Sequence, residues 1–259
     1  MAAEHTRLRA ITDDDTADID AVLLEMDEEE AGPAAAALED DPSLFSAVEL
    51  EGRVVGFTGL TLIDGAESAA WLSHTGFLRR VAPERVRDAF ALQITAAGEA
   101  GLTRLFAAEA DDPEDREQLQ YLRALREAGF RDAVRIRNFY APGEDGLWLE
   151  ARLSDEAPYP REPNNRGIEV TDVFPHDDAE GVYVLDWVPT AGLATDEKAM
   201  AKWLKKPRRR RARMVVASGP GDMPRLAEQL NAAGFTRAGE LSDFYAPGRS
   251  EVQYVLELL

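Results

Sequence analysis

This chain of 259 residues predicts an α/β (α+β) fold: a mixed, mostly antiparallel twisted sheet flanked by helices, followed by a second unit of half the size. Three observations carry that expectation. First, Ala128-Gly129-Phe130 and Phe139-Tyr140-Ala141-Pro142-Gly143 return as Ala233-Gly234-Phe235 and Phe244-Tyr245-Ala246-Pro247-Gly248, offset by 105 residues; 128–153 and 233–258 agree at 10 of 26 positions without a gap. Agreement of that length marks an internal repeat. Second, each copy reads as a helix, a strand, a turn and a returning strand. Third, Pro158, Pro160, Pro163 and Asn164-Asn165 mark a linker over 154–166, with one block of alternating elements before it and a shorter one after.

Taken in order, Leu8 to Ile11 is a short strand. Thr12 with Asp13, Asp14 and Asp15 reads as a helix start, since acidic residues suit a first turn. A metal site is the sharper alternative, but adjacent aspartates do not converge on one ion unaided. Ile19, Val22, Leu23 and Met26 recur at helical spacing. Gly32-Pro33 should break the helix, with a short alanine-rich one following (Ala34 to Leu38). Leu44–Leu50 and Val54–Leu62 form a hairpin at Glu51-Gly52. Ala69–Phe77 is a further strand. Pro83–Ala97 is a helix with proline at its first position and Gly98 just past its end. Leu105–Ala108 is a strand and Pro113–Ala128 a helix, and Gly129 suits the C-cap because glycine adopts a left-handed backbone cheaply. Phe130–Tyr140 is a strand of β-branched and aromatic residues, and Leu147, Leu149 and Ala151 alternate as the return strand. Beyond the linker, Ile168–Val173 and Val182–Val188 are strands, Asp196–Leu204 a helix, Met214–Ala217 a strand and Met223–Ala232 a helix.

Composition narrows the functions open to the chain. Lys+Arg 29 against Asp+Glu 49 gives a formal charge of −20, and only Lys198, Lys202, Lys205 and Lys206 are lysines. Such a surface suits a salt-rich interior, where screening removes carboxylate repulsion, or is simply that of an acidic protein. It disfavours nucleic acid as a general partner. With no cysteine there is no disulfide, thiol nucleophile or zinc–thiolate site. Neither a signal-peptide pattern nor a long uncharged apolar stretch is evident, so a cytoplasmic, soluble protein without membrane contact is expected.

Gly129-Phe130, Phe139-Tyr140, the turn Gly143-Glu144-Asp145 and the apolar Leu147 to Leu153 together resemble the closing elements of the GNAT superfamily of acyl-CoA N-acyltransferases. The echo keeps Gly234-Phe235 and Phe244-Tyr245 but departs at its turn, where Arg249-Ser250 follows Gly248. The element order along 7–153 resembles the whole of that fold. The resemblance implies a GNAT-like domain over 1–153 and a GNAT C-terminal half-domain over 167–259, which alone would leave a raw sheet edge and is expected to pack on the first. A homodimer is a further possibility.

The resemblance also implies a chemistry: transfer of an acyl group, acetyl in the first instance, from acyl-CoA to an amine of a small molecule or protein. In that family a glycine-rich loop leading from the fourth strand into a helix brings backbone N–H groups to the coenzyme diphosphate. The corresponding segment runs Phe77-Leu78-Arg79-Arg80-Val81-Ala82-Pro83. Aligned on Val81-Ala82-Pro83, Val86 stands for the family's arginine, and Arg87, Ala89 and Ala91 stand for its three glycines. A second register makes Arg79-Arg80-Val81-Ala82 the loop. Neither register restores the glycines. Two outcomes stay open: Arg79, Arg80, Arg85 and Arg87 hold phosphates by side chain, or the site has decayed to a non-catalytic binding module. The second unit's loop, Thr190 to Thr195, holds a single glycine.

The tyrosine that many family members use as a general acid is replaced by Leu125, and by Leu230 in the echo; Tyr121, one turn earlier on the same helix face, is the substitute or else a packing residue. His74 on the fourth strand and Glu109 at the end of the fifth are the base candidates. The family places them on two strands that splay to admit the pantetheine arm. Either is also explained by a structural role. Tyr140 and Tyr245 line an acceptor pocket or finish the core. The basic run Lys205 to Arg213 is either an anion-binding segment or, as favoured here, an exposed turn satisfied by neighbouring carboxylates. His176-Asp177-Asp178 is a poor cation site, and no metal is expected.

Overall fold

The computed structural model describes residues 5–66, 68–154, 162–191 and 194–258, with the side chains of Glu28 and Glu29 left aside. Most of the expected proline-rich linker, and Gly192-Leu193 of the second unit's loop, lie outside the described residues. The chain forms two compact units. One comprises the chain up to Ala107, Arg116–Arg131 and the segment from Glu150; the other comprises Ala108–Asp115, Asp132–Leu149 and the remainder.

The first unit orders its strands β1 (Thr6–Ala10), β2 (Phe45–Leu50), β3 (Arg53–Leu62), β4 (Ala69–Phe77) and the start of β5 (Arg104–Asp111) side by side. β1 to β4 are antiparallel, and β4 runs parallel to β5. The β2–β3 turn is the expected one: Glu51 and Gly52 both take left-handed backbone, φ 52° and 79°, as a two-residue hairpin requires. Helices α1 (Thr16–Leu23) and α2 (Glu28–Asp40) cover the sheet with an apolar cluster of Ile19, Val22, Val48, Phe57 and Leu78.

Asp15 is a clamp rather than a metal ligand. It accepts from the backbone N–H and hydroxyl of Thr12, both at 2.8 Å, and from both arms of Arg9 at 2.6 and 2.7 Å. The Arg9 guanidinium holds its carboxyl well below the usual carboxylate range.

Two boundaries differ from expectation. Gly32-Pro33 does not break the chain: α2 runs through it, with Pro33 inside the helix. A proline forfeits one backbone hydrogen bond, and the burial of Ala34, with Ala37 and Leu38 packed on the same cluster, offsets that loss. Helix α3 (Pro83–Glu99) passes Gly98 and ends at Gly101, whose φ of 91° supplies the left-handed stop. Helix α4 (Arg116–Ala128) ends as expected at Gly129, φ 124°.

The second unit orders its strands as the end of β5, β7 (Glu144–Arg152), β6 (Arg131–Ala141), β11 (Thr236–Ala246), β12 (Arg249–Glu257), β10 (Met214–Pro220), β9 (Val182–Thr190) and β8 (Gly167–Pro175). Helices α5 (Glu197–Trp203), α6 (Lys205–Arg209) and α7 (Pro224–Ala232) complete it, around a core that includes Ile168, Leu185, Met200, Val215, Leu226, Leu230 and Phe235. The basic run is therefore partly helical rather than an open turn.

The two copies of the repeat meet edge to edge here. β6 pairs antiparallel with β11, and Val134 faces Gly239. These two positions are themselves equivalent, 105 residues apart. An antiparallel pairing of equivalent positions is the signature of a local two-fold axis. Gly239 is required by the approach: a Cβ there would lie 2.8 Å from the Ala133 carbonyl oxygen and 3.0 Å from Val134 Cα. Both copies also turn alike, since Asn138 and Asp243 take φ 52° and 53° and accept from the amides of Gly143 and Gly248 at 2.8 and 2.6 Å.

Candidate active site

β4 is the element on which the candidate site is built. Its parallel ladder with β5 spans Ala69–Trp71 against Arg104–Phe106, while its pairing with β3 continues to Phe77. The β3–β4 register shifts between Phe57 and Gly59, and opposite that shift His74 takes φ 49°. A left-handed histidine in a strand is a local strain that packing must hold. The ring stacks on Phe45 at 6.3 Å and 25°. Burial lowers the imidazole pKa, which favours the neutral ring at neutral pH.

The loop after β4 is held mostly by its own backbone. Phe77 meets Phe90 edge-on at 5.9 Å. Leu78 is buried, and its N–H donates to Val55 O at 2.9 Å; the Val81 N–H donates to Leu78 O at 2.9 Å. The Arg79 N–H points elsewhere: it donates to a Glu25 carboxylate oxygen at 2.6 Å. Arg79 and Arg80 are exposed. At the start of α3, Pro83 has no N–H, and the amides of Arg85 and Val86 both return to Ala82 O. Arg85 and Arg87 share Asp88, at 3.4 and 2.6 Å. Ala89 is fully buried inside α3 against the apolar cluster, so the register that makes Arg87, Ala89 and Ala91 a loop puts them in the helix body.

Tyr121 lies on α4 with its ring edge-on to Phe90 at 5.2 Å, and Leu125 beneath it is fully buried. Phe77, Phe90 and Tyr121 thus form one aromatic chain in the first unit, linking the loop to α4. Glu109 lies in the second unit, where it acts on Tyr140. The Tyr140 hydroxyl is pushed up to about 12, first by burial and then by the carboxylates of Glu109, Asp178 and Glu144. Phe139 there packs edge-on against Tyr140, Trp148 and His176. His176 accepts from the Asp178 amide through Nδ1 at 3.1 Å. Among the described residues no group of three metal-ligating side chains converges.

The second half offers a control. Its parallel ladder also has three pairs, Val182–Val184 against Met214–Val216. Counted five residues on from the first pair, Trp187 occupies the place of His74 and Gly219 that of Glu109. The Trp187 indole N–H donates to Ser218 O at 2.8 Å, and a Cβ on Gly219 would lie 2.6 Å from the indole ring. Where the first half carries two titratable groups, the second carries an indole packed on a glycine.

The contact on this loop that sequence reasoning missed is that of Glu25. Its partner lies 54 residues away, and no local pattern marks such a pair.

An oxygen anion 2.6 Å from the Arg79 amide is the observation that bears on a diphosphate, because a carboxylate oxygen stands in for a phosphate oxygen. Among the described residues the Arg79 amide makes no backbone hydrogen bond, so it is one donor that a phosphate oxygen could use in place of Glu25.

No protein-family model matches the chain, and no curated protein matches it. Among solved structures it is similar to a GNAT-family acetyltransferase candidate from Desulfovibrio desulfuricans, with 16% identity, TM-score 0.48, and coverage of 59% of this chain and 100% of that one. A candidate acetyltransferase from Salmonella typhimurium, solved with acetyl-CoA, gives 15% identity and TM-score 0.45 over 59% of this chain and 96% of its own. The aminoglycoside 6'-N-acetyltransferase of Enterococcus faecium gives 13% and 0.45 over 60% and 99%.

Proposed function

We propose that the chain is an acyltransferase that moves an acyl group, acetyl in the first instance, from acyl-CoA to an amine, with the chemistry in the GNAT-like domain over 1–153. The observation that carries this reading is β4: a strand with a left-handed, neutral histidine that feeds a loop whose Arg79 amide already holds an oxygen anion. Bound acyl-CoA would supply an activated thioester. Of the two base candidates, His74 lies with Tyr121 in the first unit; it would take the proton of the attacking amine, backbone N–H groups of β4 would polarise the carbonyl, and Tyr121 would return a proton to the leaving sulfur. Phe77, Leu78 and Val81 shape the loop, Arg79 and Arg80 are exposed cations that would meet phosphates, and Arg85 and Arg87 would have to give up Asp88 to do so.

Calorimetric titration with coenzyme A tests the reading. Binding is expected, and Glu25→Gln should tighten it by about fivefold, because it removes the carboxylate that competes for the Arg79 amide. Absence of binding at millimolar ligand in both proteins would leave the second reading, a non-catalytic module. What that second reading would rest on is Asp88, which already holds two of the four arginines.

A further inference from the structure

The basic run 205–213 divides into two sets of cations. Lys206 and Arg213 are structural. Lys206 Nζ donates to Val173 O at 2.9 Å, and the Arg213 guanidinium donates to the carbonyls of Phe139 and Tyr140, both at 3.0 Å, and to that of Glu180. Lys205, Arg208, Arg209, Arg210 and Arg211 are exposed and have no carboxylate partner among the described residues, contrary to the expectation that neighbouring acids satisfy them. In a chain with 49 acidic residues that is the unexpected arrangement.

The patch is also rigid. Pro207 and Ala212 are buried at its two ends, the Ala212 N–H closes onto Pro207 O at 3.0 Å, and the amides of Arg210 and Arg211 return to carbonyls within the turn. Five cations are thus held out on a closed turn, with no carboxylate among the described residues to neutralise them.

We propose that this turn is a docking surface for a short acidic peptide segment of a partner protein. Arg208 and Arg209 end α6, where successive residues point about 100° apart, and Arg210 and Arg211 follow outside the helix, Arg211 with φ 56°, so the run presents its guanidiniums in several directions rather than to a single anion such as a phosphate group. An extended peptide spaces its residues by about 3.3–3.6 Å and lets several carboxylates each find an arginine fork. Nucleic acid is disfavoured by footprint. A phosphodiester chain long enough to bind would run off this one turn onto the rest of a surface of charge −20, with Glu180 already beside Arg213.

The test uses the full chain and fluorescence anisotropy of a labelled octaglutamate peptide, with a single-stranded oligonucleotide and inorganic triphosphate as competing probes. Binding of octaglutamate at about 50 mM salt, weakening as salt rises, is expected. Replacing all four residues, Arg208→Gln through Arg211→Gln, should weaken it by about tenfold or more. Circular dichroism should not change, since these side chains are exposed and make no hydrogen bond or ion pair among the described residues. The proposal is overturned if octaglutamate fails to bind, if the quadruple variant binds it equally well, or if oligonucleotide or triphosphate binds more tightly than the peptide.

Discussion

The two copies of the repeat share a backbone but put it to different uses. In the first, Phe139 packs down on Gly146, where a Cβ would lie 2.9 Å from the ring, and Trp148 flanks it. In the second, the position of Gly146 is Glu251, only 8% exposed, and that of Trp148 is Gln253. Glu251 hydrogen-bonds to Ser218 and accepts from the Tyr245 hydroxyl at 3.3 Å, and Arg249 lies over the Tyr245 ring at 5.0 Å while pairing with Asp222. One residue thus converts an aromatic contact into a buried polar network. The same contrast holds between the parallel ladders, where Trp187 and Gly219 replace His74 and Glu109. A repeated frame fixes where side chains stand, and substitutions at a few positions decide whether that place is filled or left to chemistry.

The comparison can be broken most forcibly at the seam. Gly239→Val should destabilise the protein by about 3 kcal/mol, because the atoms in its way are backbone atoms of β6 that cannot step aside. Chemical denaturation measures this, and a cost below that of an ordinary surface substitution would mean the edges are not held together. Next, Trp187→Ala should cost about 2 kcal/mol through lost packing and the lost indole hydrogen bond to Ser218 O, with coenzyme A affinity unchanged. A loss of that affinity would move the chemistry to the second half.

The buried acid gives a pH-dependent test. Burial raises the Glu251 pKa, so its ionisation is penalised in the folded state. Its contribution is fully favourable below the unfolded carboxylate pKa of about 4.3 and is lost as pH rises through the folded value. Glu251→Gln should therefore melt higher than the parent at neutral pH and converge with it at about pH 4; a parent that melts higher at neutral pH would mean the carboxylate is better satisfied than its burial implies. The finest test is at the turns: Asn138→Ala and Asp243→Ala should each cost about 1 kcal/mol and agree with one another, since each removes the acceptor for one glycine amide. Unequal costs would show that the copies have diverged in backbone as well as in side chains.

Much of the frame is readable from residue order. The hairpin at Glu51-Gly52, the stop at Gly129, the proline start of α3 and both copies of helix–strand–turn–strand follow from local rules, because each depends on neighbours within a turn or a strand pair. The break expected at Gly32-Pro33 fails for the opposite reason: burial of Ala34 and its neighbours, a property of the packed unit, outweighs the local penalty of proline. The expected helix end at Gly98 fails because a second glycine, Gly101, lay within reach.

The candidate site follows the same division. The family resemblance nominated His74, Glu109, Tyr121 and the arginines of the loop, and the 105-residue offset alone declared the duplication. Only tertiary packing assigned Glu25 to the Arg79 amide, gave both Arg85 and Arg87 to Asp88, set Val134 against Gly239 and left Arg208 to Arg211 exposed. Local chemistry is written in a few adjacent letters, whereas a hydrogen bond between residues 54 apart exists only once the chain has folded around it.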